Sequence, residues 1–303
     1  MGQRTNKLTL FIALLAICCA SAAKADAAED LCPSALTGLI PARSQFAATG
    51  IEFARATAAL SERKREKLIA AELLAGNVPG FLRRLKPVKL PGWMAMRGFA
   101  DVTICVTPDY LALGSDDDFL RIPMGLRTAS TAAKQFGFVL PTPRMVDAIY
   151  EHADVHLRPV PMPPGPKMRS NAYYWHHQSY IQQQRFAQHV SLGHLIAGHK
   201  KDLVMTNRLH EKAGRVAIYG WHRGVGDPIQ PLSTVHGSRY ADYSHGVRLV
   251  SSVAYVDGEP RSLVEILEDP WLAAIVSDEG PIIDMAPLMA RTSDQFVQAT
   301  RLE

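Results

Sequence analysis

The chain has 303 residues, of which 47 % are hydrophobic and 20 % charged, with a formal charge of +4. That is enough apolar material to bury a large core, as one big domain or two modest ones. Loss of residues 1–25 would remove Arg4, Lys7 and Lys24 and no acid, and the near-neutral remainder lacks the basic stripe that neutralises a phosphate backbone, so nucleic acid is not an expected partner.

Arg4 and Lys7 precede an uncharged run at 8–19, and Ala20-Ser21-Ala22 and Ala23-Lys24-Ala25 follow as small-x-small sites. This order predicts a secretory signal peptide over 1–25, cleaved after Ala25, and a secreted or periplasmic product. The run is about twelve residues, well short of the roughly twenty a membrane-crossing helix needs, and no comparable run follows. No stable membrane span is expected. Ile17 before Cys18 argues against a lipid-modified cysteine. Cys32 and Cys105 remain, and in an oxidising compartment they predict a disulfide tying the N-terminal segment to the body. Cys105 lies in the alternating run Val102-Thr103-Ile104-Cys105-Val106, which reads as a strand and not as the setting of a nucleophile.

The stretch 44–76 is rich in Ala, Leu, Glu, Lys and Arg and predicts a long first helix, with Arg63, Lys64, Arg65 and Lys67 on a solvated face. Between 100 and 122, short β-type pieces flank Thr107-Pro108-Asp109 and Gly114-Ser115-Asp116-Asp117-Asp118, which suggests a hairpin with an exposed acidic turn. Thr142-Pro143 supplies a cap and a first-turn proline for a short amphipathic helix carrying Met145, Val146, Ile149 and Tyr150. Five prolines within 158–166 predict an extended strap. A helix is expected near 171–190, with His176 and His177 on its exposed side. β-type runs follow at 203–206, 216–219 and 247–256, then short helices at 263–267 and 271–275.

The reading is an α+β chain, with a helical N-terminal part followed by a β-rich C-terminal part built on a mixed or antiparallel sheet. Its divisions are a signal peptide (1–25), a helical and hairpin region (26–157), a proline-rich strap (158–170) and a β-rich catalytic region (171–303).

All eleven histidines fall between His152 and His245. Histidine is the side chain best suited to proton transfer near neutrality and to binding zinc-like metals. One group is Gly198-His199-Lys200-Lys201-Asp202, in which His199 and Asp202 would form an acid/base pair and Lys200 or Lys201 would hold a substrate carboxylate. A denser group runs from Trp221-His222 through Ser233, His236-Gly237, Tyr240, Asp242-Tyr243-Ser244-His245-Gly246 and Arg248. Its glycines permit close approach of backbone to ligand, and its rings offer stacking faces with polar tips.

The pieces Val235-His236-Gly237 and Ser244-His245-Gly246-Val247-Arg248-Leu249 resemble the two halves of the signature of L,D-transpeptidases, which crosslink bacterial peptidoglycan. In that family the position after Ser-His-Gly is the cysteine nucleophile. Here it is Val247, and the two histidines stand closer together than that family's spacing, so the transpeptidase reaction does not carry over.

Three mechanisms fit the remaining groups. A divalent metal such as zinc could take His236, Asp242 and His245 as ligands. A serine hydrolase could use Ser244 or Ser233 with a neighbouring histidine, although Ser244 and His245 would point to opposite faces of an extended segment. The same surface could also bind without catalysis.

The expected function is a secreted or periplasmic hydrolase of an amide or glycan bond in the cell envelope or an external polymer. His236, Asp242, Ser244 and His245 form its catalytic set; His199, Lys201, Trp221, His222, Tyr240, Tyr243 and Arg248 contact a cell-wall or polymeric substrate. The alternative is a non-catalytic module that binds an envelope glycan or peptide.

Overall fold

The computed structural model describes residues 31–94 and 98–283. The expected signal peptide and its cleavage site lie outside them. Thr49 opens α1 (Gly50–Ala56) through a reciprocal capping box with Glu52, and the Ser61 side chain caps α2 (Glu62–Leu74) by accepting from the Lys64 amide. The long helix expected over 44–76 is therefore broken in two. Thr57 closes the first piece by donating its hydroxyl to the Phe53 carbonyl at 2.8 Å, and Ser61 starts the second. The solvated basic face is also interrupted. Arg65 is buried, lies 5.2 Å over the Tyr174 ring and donates to the Arg169 carbonyl.

A long antiparallel pair follows, β1 (Lys86–Met94) and β2 (Gly98–Val106). The expected hairpin is β3 (Ala112–Gly114) with β4 (Phe119–Arg121). Its acidic turn is not merely exposed. Asp116 accepts from the Phe81 amide at 3.0 Å and Asp118 from the Ile51 amide at 3.3 Å, so the turn pins the first turn of α1. Next come α3 (Leu126–Phe136), β5 (Phe138–Val139) and α4 (Pro143–His152), the last capped by Thr142 as its sequence predicts. After β6 (Val155–His156) the stretch 157–164 has neither helix nor strand.

α5 (Asn171–Ala187) then crosses to the C-terminal strands: β7 (Ile196–Ala197), β8 (Lys201–Leu203), β9 (Ile218–His222), β10 (Pro228–Ser233), β11 (His245–Gly246), β12 (Val250–Val256) and β13 (Glu259–Ser262). Two short helices finish the described chain, α6 (Leu263–Glu268) and α7 (Ala273–Val276).

The class is α+β, with two larger sheets, one antiparallel and one mixed, beside the two-stranded β3–β4 and β6–β7 pairs. The first runs β1-β2-β12-β13, with β5 also paired to β12; the second runs β10-β9-β8-β11, and its β8–β11 pair is parallel. The separation into a helical first part and a β-rich second part holds only loosely, because β2 from the first half pairs with β12 from the second. The main core draws side chains from Cys32 through Ile282. Cys32 and Cys105 form the expected disulfide, with Cα atoms 5.6 Å apart. Among the described residues no helix is long and apolar enough to cross a membrane.

Candidate functional site

The segment between β10 and β11 is held from both sides. The Val216 amide donates to the His236 carbonyl at 3.1 Å, the Ser238 amide to Gly214 at 2.7 Å, and the Leu126 amide to the Ser238 carbonyl at 2.8 Å. This fixes a turn that lays Tyr240 flat on His236, with ring centroids 4.1 Å apart and planes 7° from parallel. His245 follows at the start of β11, its ring 5.6 Å from Tyr240 and 6.1 Å from His236. In the parallel β8–β11 pair His245 stands opposite Lys201. The sequence-predicted His236, Tyr240, Asp242, His245 and Lys201 are thus brought together.

Asp242 is the hub. One carboxylate oxygen accepts from the Ser244 amide at 2.8 Å and from the Ser244 hydroxyl at 2.6 Å, and the other accepts from the Tyr240 hydroxyl at 3.1 Å. Burial raises its pKa, but the adjoining His245, the Ser244 bonds and Lys201 outweigh that and hold it low. Burial together with the Asp242 charge pushes Tyr240 up to about 12, so it remains a hydrogen-bond donor.

Burial lowers both His236 and His245, against the pull of Asp242, which leaves two neutral imidazoles at neutral pH. His245 is fully buried, and among the described residues neither of its ring nitrogens has a hydrogen-bond partner. An unmade bond at a buried polar atom costs about 1–3 kcal/mol, so this ring is placed against stability.

The other expected residues lie elsewhere. His199 does not pair with Asp202. It contacts Asp109 at 3.2 Å inside a buried cluster with Arg121, and burial pushes it down to about 4. Asp202 instead accepts from the Tyr110 hydroxyl at 2.8 Å. Arg248, assigned to substrate, is sealed in the core, donating to the carbonyls of Thr107 and Ile196 at 2.7 Å each and lying 4.4 Å over Tyr110. Tyr243 is buried, its hydroxyl bonded to Met162.

Trp221 is also buried and stacks under the Lys201 ammonium at 5.0 Å, so it orients that lysine instead of facing solvent. Its neighbour His222 bonds Asp147 at 2.8 Å in a separate hollow. Ser244 directs its hydroxyl to Asp242 and not to a histidine, and Ser233 is half-buried in β10. Among the described residues no group of three or more His, Cys, Asp or Glu side chains is arranged to hold a metal ion.

Two contributors, Arg169 and His177, escaped the sequence reading. Arg169 lies 5.5 Å over the Tyr240 ring. Lys200, expected as an alternative to Lys201 for a substrate carboxylate, is instead fully buried with its ammonium on the Tyr243 carbonyl at 2.6 Å, and burial pushes it down to about 7. His177, expected on an exposed helix side, is completely buried against Tyr243, and neither of its nitrogens has a partner among the described residues. Its spacing from Tyr174 and Ile181 on α5 was the available signal, since those three positions share one helix face.

The Ser-His-Gly piece has a packing reason of its own. A Cβ on Gly246 would sit 2.5 Å from the Tyr110 ring. Gly246→Ala is expected to displace Tyr110 from Asp202 and cost about 2 kcal/mol of stability, in the range for overpacking. An unchanged denaturation midpoint would show that the ring moves freely. Val247, at the position the resemblance gives to the nucleophile, is fully buried in the main core. No family model matches the sequence, and no curated protein or solved structure does.

Proposed function

We propose that this chain is an extracytoplasmic hydrolase of an amide or glycosidic bond in the cell envelope or an external polymer, with its centre at His236, Asp242 and His245. The observation that carries this reading is His245: a buried imidazole, neutral at physiological pH, whose nitrogens have no partner among the described residues, beside the half-buried His236. One such ring is equipped to take a proton from attacking water, and the other to return it to the leaving group. Tyr240, kept protonated, and Lys201, steadied on Trp221, supply donors for charge developing on the bond under attack. Asp242 positions the set through Tyr240 and Ser244.

The chemistry is written without a metal: Asp242 already accepts three hydrogen bonds, and among the described residues no third His, Cys, Asp or Glu joins the two imidazoles in a metal-holding group. A second reading, an envelope-binding module without catalysis, draws support from the commitment of the Ser244 hydroxyl to Asp242 and from Val247 in the core.

Turnover of peptidoglycan fragments by the purified chain separates the two. His236→Ala and the near-isosteric His245→Gln are each expected to lower the rate at least about 100-fold, as loss of an acid/base group does, while remaining folded. Absence of turnover with retained binding to cell walls would favour the module. A stoichiometric metal lost in both variants would replace the metal-free chemistry.

A further inference from the structure

A second hollow lies apart from the His236 centre. It has a volume of about 520 Å³, and its wall includes Tyr150 from the end of α4, Arg158 from the proline strap, Gln188 just past α5, and His222 and Arg223 at the end of β9. A smaller hollow of about 100 Å³ adjoins it, walled by Asp147, Glu151, Val225 and Gly226 together with the same Tyr150 and His222. These two rings line both spaces, so they stand where the hollows meet. They are stacked 4.7 Å apart, and His222 is fixed by Asp147, which also accepts from the Tyr219 hydroxyl at 2.9 Å.

Charge is divided between the two spaces. The larger has two guanidinium groups and no carboxylate in its wall, and the smaller has two carboxylates and no lysine or arginine. Arg223 is paired with Asp227 at 2.8 Å. Among the described residues neither Arg158 nor Glu151 has an ion-pair partner. A simple anion would suit only the larger space, and a simple cation only the smaller. A ligand carrying one charge of each sign satisfies both ends, and the larger volume lies within the range of pockets for small molecules.

We propose that this double hollow binds a free amino acid or short peptide as its zwitterion, with the carboxylate on Arg158 and the ammonium toward Glu151 and Asp147. The exposed Val225 offers an apolar surface to one side chain of the ligand. The proposal is independent of the hydrolase reading, because none of His236, Tyr240, Asp242 and His245 lines either space.

Calorimetric titration of the purified chain with alanyl-alanine and alanyl-leucine, each also as its N-acetyl and its C-terminal amide form, tests this. The free dipeptides are expected to bind saturably and each blocked form about tenfold more weakly, as loss of a charge-assisted bond implies. Arg158→Ala should erase the difference between the acid and the amide, and Glu151→Gln should shrink the difference between the free and acetylated amine. Both side chains are exposed, so both variants should melt like the parent. Binding should persist in His236→Ala. No saturable binding of the free dipeptides, equal binding of free and blocked forms, or loss of binding in His236→Ala would each overturn the proposal.

Discussion

Asp109→Ala is expected to cost about 3–5 kcal/mol of folding stability, the range for stripping one partner from a buried ion pair. Asp109, Arg121 and His199 are each almost entirely buried. The Arg121 guanidinium reaches both Asp109 oxygens, at 3.0 and 2.9 Å from Nε, and donates to the Gln178 carboxamide at 2.9 Å from Nη1. Burial raises the Asp109 pKa, but Arg121 and His199 overcome it and hold the carboxyl far below its ordinary range. Removing the carboxylate strands a guanidinium that cannot lose its proton.

The double variant Asp109→Leu/Arg121→Met should recover part of the loss, because no charge then stays behind. Acid adds a second readout. His199 titrates at about 4 in the folded chain against an ordinary 6.5, so the unfolded chain takes up that proton first and stability declines as pH falls between those values. The depressed Asp109 pKa continues the decline below the ordinary carboxylate range. Urea unfolding of the variants measures the first effect, and unfolding of the parent from pH 7 to below the ordinary carboxylate range measures the second. A cost under about 1 kcal/mol for Asp109→Ala would mean that water reaches the pair.

Reduction of the Cys32–Cys105 bridge is expected to have an effect of similar size. The bridge spans 73 residues of sequence, and the chain-entropy argument assigns about 4 kcal/mol to a closed loop of that length. Cys105 sits without exposure in β2, which pairs with β1 on one side and β12 on the other. The constraint therefore acts on the middle of the larger sheet. Denaturant unfolding with and without a reducing agent should show a clear fall in midpoint. A change below about 1 kcal/mol would show that the reduced, unfolded chain keeps its N-terminal segment near β2 unaided.

Features written into adjacent residues were readable from the sequence. Thr142-Pro143 sets the start of α4, the prolines between 159 and 164 leave that stretch without helix or strand, and the β-branched run around Cys105 forms β2. The local pair of signals at 235–249 also led to rings that do meet, because a short turn and the β8–β11 register bring His236 and His245 together.

What the sequence hides is which polar side chains are covered. Arg65, His177 and Arg248 read as solvent-facing groups, but Tyr174, Tyr243 and Tyr110, each distant along the chain, cover them. His199 was matched with a close neighbour, Asp202, while its real partner Asp109 comes from the loop before β3. The break between α1 and α2 depends on Ser61, a strong capping residue concealed within a run of good helix formers.

The insertion of β2 between β1 and β12 has a consequence for biogenesis. The edge of β2 that receives β12 is left bare until residues 250–256 have been delivered, since its cover is drawn from a strand far along the chain from β2. A nascent form halted ahead of β12 would present an open strand edge to its neighbours, the kind of template on which chains stick to one another. Late arrival of β12 thus sets the interval during which this molecule is most vulnerable to aggregation.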